Sequence, residues 1–170
     1  MGRVLPLDML LSLREQWRRN GQRMVFTNGC FDLIHVGHVR YLQRARTLGD
    51  VLVVGLNSDA STRHLKGNRR PIVPQDDRAE IVAALGAVDY VVIFDDPTAE
   101  PLVSALRPDV YVKGGDYAIT PDEEGKDLPE ARIVAAYGGQ VVIIPLVEGR
   151  STSDIITLVV ERYCRSPEPR

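Results

Sequence analysis

Cysteine is scarce in this 170-residue chain: only Cys30 and Cys164 occur. Two thiols cannot make the disulfide framework of a small secreted domain, so both are expected reduced. No apolar run is long enough to cross a bilayer, and the N-terminal residues carry no secretory signal pattern. An excess of positive charge is missing as well. A formal net charge of −2 argues against a general nucleic-acid binder, whose affinity comes from neutralising many phosphates. These absences predict a cytoplasmic protein with neither membrane nor nucleic acid as partner. The length suits one substantial core rather than two. Residues 1–170 are therefore expected to form a single domain, with an extra helix over 1–21 and the core over 22–163.

What is present is a regular alternation. Residues 24–26, 51–56, 90–94, 110–112 and 141–144 are continuous apolar runs too short for helices, the pattern of strands buried on both faces. Helical patterns over 77–85, 100–106 and 130–137 fall between most of them. Strand and helix in alternation predict a Rossmann-like, doubly wound, parallel five-stranded sheet flanked by helices, an α/β fold. Leu7, Met9, Leu10, Leu11, Leu13 and Trp17 form a helical stripe before Asn20-Gly21. That extra helix is expected on the sheet edge or against another subunit.

The chemistry concentrates in residues 27–42, TNGCFDLIHVGHVRYL, which read as strand end, loop and helix start. His35 and His38 lie three apart on the first helical turn and so point the same way, beside backbone N–H groups that lack intrahelical partners. That is a site for an anion. Two imidazoles can follow charge developing on a phosphate, and Gly37 between them leaves room for phosphate oxygens. Asp32 would repel phosphate, so its expected task is to hold Mg²⁺ through water or to orient a histidine. Two other readings stay open here: a zinc site of Asp32, His35 and His38, and a purely structural histidine pair at a helix cap. Cys30 is read as a small filler of the loop.

Further segments fall at or just beyond strand ends, where ligands of such folds bind. KGNRRP at 66–71 sets cations around Gly67, suited to neutralising a polyanion. In KGGDY at 113–117, Gly114 and Gly115 allow close backbone approach to a ligand. In GRSTSDII at 149–156, Ser151, Thr152 and Ser153 bring three hydroxyls to a helix N-terminus, where capping accounts for one. The polar stretch 118–129 is a candidate specificity loop.

Taken in order, TNGCFDLIHVGH, NSD at 57–59, KGNRRP, Arg78, KGGDY and GRSTSDII resemble the cytidylyltransferase-like nucleotidyltransferases. Over 23–159 the chain is most similar to the D-glycero-β-D-manno-heptose 1-phosphate adenylyltransferases, which make ADP-heptose for the lipopolysaccharide core. The resemblance implies transfer of AMP from ATP, with Mg²⁺, to a sugar 1-phosphate. It assigns catalysis to His35, His38 and Lys66. Nucleotide binding falls to Thr27, Asn28, Gly29, Phe31, Asp32, Gly37, Arg78, Gly115, Asp116 and Ser151 to Ser153, besides the histidines. Substrate binding falls to Asn57, Asp59 and Lys113, and no dedicated protein metal site is implied. A homodimer is expected, as is a separate sugar kinase upstream, since many relatives carry that kinase as a preceding domain. The longer 118–129 loop departs from the family pattern. Glycerol-3-phosphate cytidylyltransferases share the histidine motif and are the competing resemblance, with CTP as donor. A non-catalytic nucleotide sensor and a fragment of tRNA-synthetase type are the alternatives from other classes.

Overall fold

The structure, a computed structural model, describes residues 1–115, 117, 125–145, 147 and 149–164. Its centre is β2 (Met24–Gly29), hydrogen-bonded in parallel to β3 (Val51–Asn57) on one side and β5 (Val110–Gly114) on the other. All seven residues of β3 are buried, as a run without alternation requires. Beyond them lie β4 (Tyr90–Phe94) and β6 (Gln140–Ile144). The edge strand β1 (Arg3–Val4) pairs in parallel with β4 and makes the sheet six-stranded, in the order β1-β4-β3-β2-β5-β6. Two residues are too few to register as a periodic run, so five of the six strands are legible in the sequence.

The chain leaves β2 for β3 through α2 (Val36–Arg46), then passes through α3 (Asp59–Lys66) and α4 (Gln75–Ala84) to β4. It then crosses behind β3 and β2 through α5 (Glu100–Leu106) to reach β5 on the far side. The direction of winding therefore reverses beside β2, and a crevice opens beyond the strand ends there. One face of the sheet packs Phe26, Val53 and Tyr111 against α1 (Leu7–Arg19), α5 and α6 (Pro129–Ala136). The opposite face packs Val25, Leu52, Val54 and Val112 against Leu42 and Ala45 of α2 and Val82 of α4. The N-terminal helix is thus part of the core, with Leu10 and Trp17 buried and Arg14 bonded to the carbonyls of Leu106 and Arg107 and to Asp109. No helix among the described residues is long and apolar enough to cross a membrane.

Candidate active site

Strand β2 extends three residues beyond its apolar run, so Thr27, Asn28 and Gly29 lie on the strand. The Thr27 hydroxyl is buried and meets Tyr41 Oη at 2.6 Å, while Tyr41 Oη donates to the Val112 carbonyl at 3.1 Å. With the tyrosine proton committed, Thr27 is the donor, and the pair ties α2 to β2 and β5. Thr27 is therefore beneath the site rather than in it, a correction to its expected place among the nucleotide ligands. Asn28 Oδ1 accepts from Tyr111 Oη at 2.7 Å and from Lys113 Nζ at 3.1 Å. This aims the Lys113 ammonium into a cleft of about 680 Å³ at the strand ends.

His35 caps α2, its Nδ1 accepting the Gly37 N–H at 3.1 Å. Its ring stacks on His38 with centroids 3.9 Å apart, and the Phe31 ring is tilted against His38 at 5.2 Å. Gly37 has a second reason to be glycine: a Cβ there would sit 2.9 Å from the His35 ring. His38 Nδ1 is, among the described residues, the buried side-chain polar atom without a hydrogen-bond partner. Burial, and then the charge of His35, push the His38 pKa down to about 4. Burial lowers His35 too; Asp154 opposes this and Arg150 adds to it. Both rings are neutral near pH 7, so they offer hydrogen bonds to phosphate without first repelling each other.

These shifts have a measurable consequence. The unfolded chain has an ordinary imidazole, so between about pH 6.5 and 4 it binds protons the folded chain refuses. The stability from a neutral His38 is complete above that window and lost as pH falls through it. The Tm of ligand-free protein is expected to drop on going from pH 7 to 4.5, and His38→Asn to flatten that dependence. Equal slopes in the two proteins would show that the His38 shift is absent.

The helix α7 (Thr152–Tyr163) closes the cleft from the histidine side. Ser151 Oγ accepts from Asp154 N at 3.1 Å as its cap, and Thr152 Oγ1 reaches the Leu33 carbonyl at 3.4 Å. Ser153 is exposed on the cleft lining, as is Arg150, whose Cβ lies 3.5 Å from the position a Gly37 side chain would take. Lys66, the exposed last residue of α3, and Asn57 reach the cleft from the β3 side.

Four further placements correct the sequence expectations. Asp32 turns its carboxylate to donors of the 70–73 segment rather than to a histidine. Its side chain is 0% exposed, and its oxygens take the N–H groups of Ile72 and Val73 and the Arg70 guanidinium. Burial alone would raise its pKa, but those N–H groups and Arg70 outweigh it and hold the carboxyl below its ordinary range. Asp32 is thus the anchor of the 66–73 loop, and with both oxygens engaged it cannot complete a zinc site with the histidines. Arg78, expected at the phosphates, is fully buried: it binds the carbonyls of Cys30, Asn57 and Val73 and the carboxylate of Asp59. Asp59, expected at the substrate, is accordingly taken up by this ion pair at 2.7 Å. Gly115 stands outside the cleft lining too; it turns the chain out of β5 and donates to the Ile144 carbonyl. Asp116 and residues 118–124 lie outside the described residues.

The sequence reading passed over Arg70, Arg150 and Glu130, which also line the cleft. Arg70 and Arg150 stood inside motifs already marked, so their signal was available; Glu130 stood in an ordinary helical pattern and had none.

Comparison with known proteins agrees with this geometry. The family model described as cytidylyltransferase-like matches residues 26–158. The chain is 56% identical over 168 residues to the bifunctional protein HldE of Syntrophotalea carbinolica, and 50% identical over 161 residues to that of Geobacter sulfurreducens. These matches take in 94% and 95% of the chain but only 33% and 32% of the relatives, so it spans about one third of their length. A lipopolysaccharide core biosynthesis protein of Thermoplasma volcanium superposes with a TM-score of 0.57 at 26% identity, covering 76% of this chain and all of that one. A pantoate-beta-alanine ligase of Francisella tularensis, at 12% identity and a TM-score of 0.61 over 98% of this chain and 80% of its own, shares the fold. With a central strand leading into a stacked histidine pair, a capped helix facing it, and a family match over most of the chain, this protein is a nucleotidyltransferase of the cytidylyltransferase-like family.

Proposed function

We propose that the protein transfers AMP from ATP to a sugar 1-phosphate, with D-glycero-β-D-manno-heptose 1-phosphate as acceptor, giving ADP-heptose and pyrophosphate. The observation that carries this reading is the neutral, stacked His35–His38 pair at the head of α2, facing the hydroxyl-capped start of α7 across one cleft. An acceptor phosphate is already ionised near neutral pH, so its attack on the α-phosphorus needs no strong base. Catalysis is then positioning and charge stabilisation. His35 and His38 donate to the non-bridging α-phosphate oxygens as charge builds there. Lys66, Arg150 and the Ser151 to Ser153 turn hold the β- and γ-phosphates until pyrophosphate leaves. Mg²⁺ carried by the triphosphate would neutralise part of its charge.

The choice of sugar and base rests on the ordered motifs, and the likeness to a lipopolysaccharide core biosynthesis protein supports it. A sugar 1-phosphate acceptor also requires a kinase acting earlier. The test is a pyrophosphate-release assay with Mg²⁺, four nucleoside triphosphates and a panel of sugar and polyol phosphates. ATP is expected to exceed CTP at least about tenfold in kcat/KM, a difference of about 1.4 kcal/mol. Mainly CDP-linked product, or turnover confined to glycerol 3-phosphate, would overturn it in favour of a cytidylyltransferase.

A further inference from the structure

The two walls of the cleft differ in charge. The α2 and α7 wall carries the histidines, Arg150 and the hydroxyl turn, all of them suited to phosphate. Across from it, where α5 and α6 meet, the lining comprises Pro97, Thr98, Ala99, Leu128 and the carboxylate of Glu130. Glu130 belongs to the first turn of α6 and is only 4% exposed. Its Oε1 accepts the Ala99 N–H at 3.0 Å, which fastens α6 to the loop between β4 and α5. Among the described residues no hydrogen bond engages Oε2. The buried side-chain polar atom without a partner among those residues is His38 Nδ1, so Oε2 is not sealed off from the cleft that Glu130 lines. Its charge also offsets the burial of the Lys113 ammonium.

We propose that Glu130 Oε2 accepts hydrogen bonds from hydroxyl groups of the acceptor sugar, making Glu130 a specificity-determining residue. The inference rests on the function proposed above and adds the side of the cleft on which the sugar lies. Three observations favour it. A carboxylate repels phosphate oxygens at close range, whereas a neutral polyol offers the donors that a carboxylate needs. The bond to Ala99 sets Glu130 beside the β4–α5 loop, whose Pro97 and Thr98 line the cleft with it. And Lys113, held by Asn28, provides a cation near Glu130 to receive the phosphate end of the same acceptor.

Glu130→Gln separates this role from a structural one. The amide oxygen still accepts the Ala99 N–H, while the atom facing the cleft becomes a donor. With β-heptose 1-phosphate, the acceptor KM is expected to rise at least tenfold, with the KM for ATP and the Tm close to wild type. Acceptors lacking single hydroxyls should lose affinity for the wild type and little more for the variant. An unchanged acceptor KM in E130Q would overturn the inference while leaving sugar nucleotidyl transfer intact. A rise in the ATP KM instead would move Glu130 to the adenosine ribose and also overturn it. A wild type that uses no sugar phosphate at all would remove the function and the inference together.

Discussion

His38→Ala is expected to slow single-turnover transfer by about two to three decades while ATP still binds within a few-fold of wild type. A donor that acts mainly on charge developing in the transition state is worth about 3–4 kcal/mol when removed, and little in the ground state. The structure adds reasons specific to this ring. It is packed against His35 and Phe31 and held neutral by burial, so it meets the α-phosphate without reorienting. Rapid-quench rates beside equilibrium titration of ATP would separate the two effects. Wild-type rates in the variant would remove His38 from the chemistry, and equal losses in rate and affinity would make it a binding residue.

Arg78→Met is expected to destabilise the protein by about 3–5 kcal/mol, the loss typical when one partner of a buried charged network is removed. The guanidinium lies wholly inside and joins the loop after β2, the end of β3, Asp59 and the chain before α4. Methionine nearly fills the volume but leaves three carbonyls and a carboxylate without their donor. Denaturant unfolding without nucleotide should show the whole effect. A variant of unchanged stability with a raised ATP KM would return Arg78 to the phosphates.

The contrast between these two residues shows what was legible in the sequence. His35 and His38 were readable because helical geometry alone brings positions three apart together, and the structure stacks them. The buried strands were readable because unbroken apolar runs have few alternatives. Asp32, Asp59 and Arg78 were misplaced for one common reason: a charged residue beside a phosphate motif reads as a ligand, and its true partners, most of them 19 to 48 positions away, are set by the tertiary fold. Helix α3 went unread because its eight residues are mostly polar, with Ser61 and Thr62 as its buried positions. Glu130 went unread because its significance comes from Ala99, 31 positions away.

The cap that His35 provides for α2 also decides where its hydrogen sits. Since Nδ1 accepts from Gly37, the neutral ring must carry its proton on Nε2, and the other tautomer would forfeit the cap. Taking up a second proton would set two N–H groups against each other at the helix start, so protonation and capping exclude one another. The enzyme thereby keeps a hydrogen-bond donor of fixed position and zero charge at the head of a helix, and the backbone of that helix, rather than a neighbouring carboxylate, enforces it.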